Sequence, residues 1–332
     1  MIARLTRILL LVQLVVALLL ALMIAHAWPD LAAAVALLLG LGCVFLARAA
    51  IVANNFRVAA GAGAGSDYPT GETTWPRLLR MFCAELYATL VSSSWHMPFC
   101  RLGAVPEIRG GGIPVLLVHG YVCNSGYWQP MACAFRSAGI RFSAVDLEPV
   151  LGDIDGYQSC IGQAVAVLRA ATGATQVVIV AHSMGGLAAR AWLCQDGWQQ
   201  TAALITLGTP HQGTALARLG IGRNAVQMCR IDDPAGAVGN PWLAQLNATP
   251  HEPRERIVSV YSTYDNIVVP AASGVLAGAR NIAFACIGHV AIASHRPVID
   301  CVIECIRNAG NAAADADANA VQSMSIQEKP SS

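Results

Sequence analysis

The stretch VVIVAHSMGGLAARAWL, residues 177–193, changes character at its middle. Its first five residues are an unbroken apolar run rich in β-branched side chains, which reads as a strand buried on both faces. Residues 187–193 have helical spacing. Between them, His182-Ser183-Met184-Gly185-Gly186 leaves room only for a tight turn. A serine at such a strand-to-helix corner projects its hydroxyl above the sheet, the arrangement called a nucleophile elbow. Bulky side chains two places to either side would collide with it, and those places hold Ala181 and Gly185. The helix after the turn aims its positive end at the corner, where the Met184 N–H is a candidate donor to an oxyanion.

Short β-rich runs also occur at residues 113–118, 142–145, 203–207, 257–261 and 282–286. Helical patterns fill 129–138, 157–172 and 185–195. Near-continuous apolar strands alternating with helices predict a mostly parallel sheet covered on both faces, an α/β fold. Two further polar groups follow strand ends: Asp265 after 257–261 and His289 after 282–286. Ser183 is a weak nucleophile until His289 takes its proton, and Asp265 would hold the imidazole in the right tautomer. The early strand ends in His119-Gly120-Tyr121, and the Tyr121 N–H is the second candidate oxyanion donor. His119 reads as a loop brace. The rivals are His295 for the base and Asp232 or Asp233 for the carboxylate, none of which directly follows an expected strand.

The blocks VLLVHGY at 115–121, VAHSMGG at 180–186, TLGTPHQGT at 206–214, YSTYDNIVVP at 261–270 and IGHVAI at 287–292 together form a pattern. That pattern resembles the bacterial lipase/esterase branch of the α/β-hydrolase superfamily, over about residues 112–307. The AHSMG form is similar to the Ala-variant pentapeptide of some triacylglycerol lipases. The resemblance implies an α/β-hydrolase fold, a Ser183–Asp265–His289 triad, oxyanion donors at Tyr121 and Met184, no cofactor and no metal. It makes His211 structural. About fifty residues separate 207 from 257, far more than an ordinary connection. This insert, about 212–252, carries Leu216, Leu219, Ile221, Val226, Met228, Trp242, Leu243 and Leu246. Two readings stay open for it: an apolar cap that receives an acyl chain, or a helical excursion with its own small core.

The 332 residues are 55% apolar and only 12% charged, against about 25% in ordinary soluble domains. Mean hydropathy is +0.51, and the net charge of +1 argues against nucleic acid as a partner. The excess of apolar residues is concentrated at the start. Residues 8–27 and 31–47 form two uncharged stretches joined by Trp28-Pro29-Asp30, each near the roughly 20 residues that span a bilayer. They read as a transmembrane hairpin, with a cleaved signal peptide ending at Ala25-His26-Ala27 as the alternative. Arg4, Arg7, Arg48 and Arg57 flank the hairpin and its turn has none, so both ends and the catalytic domain are expected in the cytoplasm, under a bacterial-type inner membrane.

The expected organisation is a hairpin at 1–57, a linker and juxtamembrane helix at 58–110, an α/β-hydrolase domain at 111–308 and a disordered tail at 309–332. The eleven cysteines include no C-x-x-C pair, so they signal neither a zinc site nor a redox dithiol. Taken together, the residues predict a membrane-anchored serine hydrolase acting on an ester with an apolar acyl group, a lipid among the candidates. Acyl transfer or thioester hydrolysis would use the same triad. A catalytically silent membrane interaction protein is the reading from another class, and a complete triad argues against it.

Overall fold

The computed structural model describes residues 1–63, 74–103, 106–195, 197–231 and 240–327. Six strands, β1 (Gly111–Val118), β2 (Ile140–Val145), β3 (Val177–His182), β4 (Thr201–Leu207), β5 (Ile257–Ser262) and β6 (Arg280–Phe284), form one sheet in the order β2-β1-β3-β4-β5-β6. Every pairing is parallel. The strand interiors are apolar at successive positions because both faces are covered. Val115 and Leu117 of β1, with Val178 and Val180 of β3, join one core. Their neighbours Leu116, Val118, Val177 and Ile179 join the other. Removing large aliphatic side chains from such sites costs roughly 2–5 kcal/mol each.

Four helices come first: α1 (Ile2–Ala27), α2 (Ala33–Gly63), α3 (Trp75–Val91) and the short α4 (Met97–Phe99). Then α5 (Gln129–Ser137), α6 (Gln158–Thr172) and α7 (Met184–Leu193) alternate with the strands. The insert between β4 and β5 carries α8 (Arg223–Gln227) and α9 (Pro241–Asn247), and α10 (Arg296–Gln327) closes the chain. Met131 and Phe135 of α5 share one face of the sheet with Val298, Val302 and Ile306 of α10. Ile161, Val165 and Leu168 of α6 share the other with Leu187 of α7 and Leu243 and Leu246 of α9.

Three expectations are adjusted. The last strand lies two residues earlier than its apolar run suggested, because residues 285–289 turn away from the sheet to carry His289. Helix α2 continues through residues 58–63, the start of the segment expected to be a linker, and residues 64–73 lie outside the described residues. Helix α10 runs to Gln327, through most of the segment read as a tail. Alanine has the highest helix propensity, which low apolar content alone conceals. Residues 328–332 lie outside the described residues.

Helices α1 and α2 are long and apolar enough to cross a membrane, and only 11% of the most apolar part of α1 is buried. They do not behave as core helices of the α/β domain. Small residues bring them together: a Cβ on Gly40 would stand 2.2 Å from the Ala17 carbonyl oxygen. Such close backbone approach is how helices associate when lipid removes any hydrophobic gain from pairing.

Candidate active site

Ser183 follows β3 directly, with φ 54° and ψ −129°, a backbone conformation that non-glycine residues rarely adopt. The corner is held from three sides. Ser183 N–H donates to the Leu207 carbonyl at 2.9 Å, and the Thr209 hydroxyl donates to the Ser183 carbonyl at 2.9 Å. A Cβ on Gly185 would lie 2.3 Å from the His119 carbonyl oxygen, so the first turn of α7 packs directly under the loop after β1. This is the steric demand read from the sequence, now with its partner named.

Asp265 sits just past β5, and one of its oxygens accepts the Ile267 and Val268 N–H groups, both at 2.8 Å. Its other oxygen faces His289 Nδ1 at 2.8 Å. His289 Nε2 lies 3.0 Å from Ser183 Oγ. The His289 backbone is fixed as well, its N–H donating to Asn266 Oδ1 at 2.8 Å. Burial lowers the pKa of His289, but the charge and hydrogen bond of Asp265, aided by the Glu85 charge, hold it above the ordinary imidazole value. The structure thus brings Ser183, His289 and Asp265 into one hydrogen-bonded line. His295 instead caps the start of α10, where its carbonyl accepts the Val298 and Ile299 N–H groups. Asp232 and Asp233 lie outside the described residues.

Tyr121 and Met184 both border the serine. A Cβ on Gly120, the residue before Tyr121, would stand 2.9 Å from Ser183 Cβ, and Met184 opens α7, where its N–H has no intrahelical acceptor. The Tyr121 phenol donates to the Ile221 carbonyl at 2.7 Å and accepts the Ile221 N–H at 2.8 Å, which ties the insert to the loop over Ser183. Of the insert's apolar residues, Met228, Leu243 and Leu246 join the core on the α6/α7 face of the sheet, whereas Leu219, Ile221 and Val226 remain exposed.

The other histidines beside the site are neutral braces. His119 is buried, which lowers its pKa; its Nδ1 donates to the Gly120 carbonyl and its Nε2 accepts the Leu147 N–H at 2.9 Å. His211 is buried, with its pKa pushed well down, and bridges Arg190 to Thr206. The eleven cysteines are free thiols. Among the described residues no cluster of three or more His, Cys, Asp or Glu side chains is arranged for a metal ion.

One residue was missed by sequence reasoning. Glu85 of α3 is 1% exposed, and its two oxygens accept the N–H groups of Val290 (3.0 Å) and Ala291 (2.8 Å), the two residues after His289. A Cβ on Gly288 would lie 2.4 Å from Glu85, so the histidine loop closes on the carboxylate from both sides of His289. Burial raises the Glu85 pKa, against the two backbone hydrogen bonds. The only signal in the sequence was a charge facing inward on an apolar helix. Glu85 acts as a positioning residue, and small displacements of a catalytic group cost up to about 10² in rate. Glu85→Ala is therefore expected to lower kcat by about 10² with KM little changed, and Glu85→Gln, which keeps one acceptor oxygen but turns an NH2 donor towards the other backbone N–H, to recover only part of it. An Ala variant with the wild-type kcat on p-nitrophenyl butyrate would remove this role.

A nucleophile corner, a carboxylate and a paired histidine lie past the carboxyl ends of β3, β5 and β6 of one parallel sheet. A model of the PGAP1-like alpha/beta domain family matches residues 136–221. The chain has an α/β-hydrolase fold. The chain is similar to the triacylglycerol lipases of Pseudarthrobacter phenanthrenivorans and Burkholderia plantarii, 34% identical to each over 143 residues. The alignments cover 40% of this chain and 42% and 38% of the relatives, so the chain spans about two fifths of the length of the curated relatives it matches. Among solved structures, the mature Bacillus licheniformis lipase BlEst2 matches with a TM-score of 0.49 at 19% identity, covering 59% of this chain and 92% of that one.

Proposed function

We propose that this chain is a membrane-anchored serine hydrolase that cleaves carboxylic esters through Ser183, His289 and Asp265. The observation that carries the proposal is the line from Ser183 Oγ to His289 Nε2 (3.0 Å) and from His289 Nδ1 to Asp265 (2.8 Å), on a strained strand-to-helix corner. In the first half-reaction Ser183 Oγ attacks the ester carbonyl carbon while His289 Nε2 accepts its proton. The oxyanion is met by the Tyr121 and Met184 N–H groups. The tetrahedral intermediate collapses, the leaving alcohol takes the proton from His289, and the acyl group remains on Ser183. In the second half, water gives a proton to His289 and adds to the acyl-enzyme, and the carboxylic acid departs as Ser183 is reprotonated.

Helices α1 and α2 serve as the anchor in this reading. The α1 N-terminus meets the hydrolase domain, since the Met1 ammonium pairs with Glu148 and Ile2 packs on Met97 and Val150. One membrane face thus holds both the start of the chain and the domain after α2, as two spans require. The arginines that flank the two helices, with none in the turn between them, support placing that face in the cytoplasm. The 1–57, 58–110 and 111–308 division then separates anchor, strap and catalyst.

A fluorophosphonate probe tests the enzyme reading: wild-type protein is expected to label and to turn over p-nitrophenyl esters, and Ser183→Ala to do neither. Equal labelling of the two would overturn it. A chain-length series from C2 to C16 sets the acyl class. For topology, a reporter active only in the periplasm, fused after residue 332, is expected to be silent, and its activity would reverse the orientation.

A further inference from the structure

The first turn of α1 docks at the carboxyl end of the sheet, on the loops after β1 and β2. Ile2 is buried with Met97 and Val150, and Val122 and Cys123 pack on the same cluster. Two of these contacts lead within a residue or two to the insert. Val122 follows Tyr121, whose phenol holds Ile221. Val150 precedes Leu151, whose carbonyl accepts the Arg223 N–H at 3.2 Å and whose atoms leave no room for a Cβ on Gly222. Around this point Leu151, Leu219, Ile221 and Val226 form an apolar rim, 41% to 78% exposed. Trp95 and Phe99, also exposed, pair near α4 with Arg7 of α1 over the Phe99 ring.

The spacing along α1 sets the depth of this rim. From Ile2 to Ile8, where the uncharged run begins, six residues rise about 9 Å. The headgroup layer on each side of a bilayer is roughly 5–8 Å thick. With α1 spanning, the domain surface at Ile2 lies at the outer edge of the headgroup layer, and apolar side chains standing off it towards the bilayer reach the leaflet. Arg7 of α1 and the largely exposed Arg223 of the insert, which stands 3.7 Å from Asp153, carry positive charge on this side. Apolar, aromatic and basic side chains in one layer are the composition of surfaces that rest in a membrane interface.

We propose that Leu151, Leu219, Ile221 and Val226, with Trp95 and Phe99, form a docking surface that sits in the leaflet α1 enters, so that Ser183 receives its acyl group directly from a bilayer-resident ester. The proposal rests on the reading of α1 and α2 as a membrane anchor. It adds to that reading a fixed orientation: the mouth of the site faces the lipid, and the turn at Trp95, α4 and the insert are the sides that touch it.

The test uses the full chain reconstituted in phosphatidylcholine–phosphatidylglycerol vesicles. Benzoylphenylalanine placed at Leu219 or Val226 is expected to photocrosslink to lipid, whereas the same group at Arg280, on the amino end of β6, is not. Leu219→Asp combined with Val226→Asp is expected to lower turnover of a vesicle-resident long-chain ester at least tenfold while leaving p-nitrophenyl acetate turnover in water unchanged. Resistance to carbonate extraction reads the anchor separately. Protein that resists extraction but crosslinks no lipid at the rim overturns the docking surface alone. Protein that is extracted overturns the anchor and the docking surface with it. Crosslinking in a chain that turns over no ester supports the surface while the enzyme reading fails.

Discussion

Asp265→Asn is expected to lower kcat by about 10⁴ while leaving the fold intact. The geometry explains why an isosteric change is so costly. One Asp265 oxygen accepts two backbone N–H groups, from Ile267 and Val268, and an asparagine would keep its carbonyl oxygen there. Its amide nitrogen would then occupy the place of the oxygen that faces His289 Nδ1 at 2.8 Å. That nitrogen donates, so Nδ1 must accept and the ring proton moves to Nε2. An Nε2 already carrying its proton cannot take one from Ser183, 3.0 Å away. The substitution inverts the tautomer rather than removing a contact. The Asp265 charge also raises the His289 pKa against the effect of burial, so the acid limb of the residual activity is expected to move to lower pH. Kinetics across pH on p-nitrophenyl butyrate, with circular dichroism as a control for folding, measure both effects. A fall of less than tenfold would show that Asp265 does not set the tautomer.

The sequence made the hydrolase sheet legible because each strand is apolar on both faces, a pattern that survives without any knowledge of its neighbours. Residues of the expected line were legible for a related reason: Ser183, Asp265 and His289 each lie within a few residues of a strand end, so a local reading places them together. Glu85 escaped because its partners lie about 205 positions away, and no local pattern links a helix before the sheet to a loop after it. The insert was legible only as apolar. Which of its side chains turn inward depends on Tyr121 pinning Ile221 and on Asn240, whose side chain donates to the Gln227 and Cys229 carbonyls and accepts the Leu243 N–H. The helices over 59–63 and 309–327 were hidden by small residues, whose low hydropathy resembles that of a linker although alanine favours helix.

Glu252→Ala is expected to destabilise the domain by about 3–5 kcal/mol, because it leaves a guanidinium buried without its counter-charge. Arg190 lies on α7, the helix that begins at the serine corner, and its side chain is 0% exposed beside that of Glu252 at 1%. The pair is bidentate, Nε and Nη2 each at 2.8 Å from a carboxylate oxygen, and Arg254 adds a third hydrogen bond at 2.9 Å. Arg190 also donates to Asn247 Oδ1 and to His211 Nδ1, and from His211 a chain runs through Thr206 and Ser259 to the Gly274 carbonyl. This network joins α7, the insert and two strands beneath the site. Burial would raise the Glu252 pKa, but the hydrogen bonds and charges of Arg190 and Arg254 hold it below the ordinary value. Its contribution to stability is therefore complete above the unfolded carboxylate pKa, about 4.3, and is lost as pH falls through the lower folded value. At neutral pH the expected loss corresponds to a Tm drop of about 10 °C for a domain of this size. Arg190→Leu combined with Glu252→Leu should recover much of that loss, since a buried ion pair replaced by apolar side chains of similar volume is often neutral. Calorimetry on the three proteins separates the alternatives. A Glu252→Ala variant within about 2 °C of wild type would mean that water or Asn247 already compensates Arg190, and a double variant as unstable as the single would mean that the hydrogen bonds, and not the missing charge, hold α7 in place.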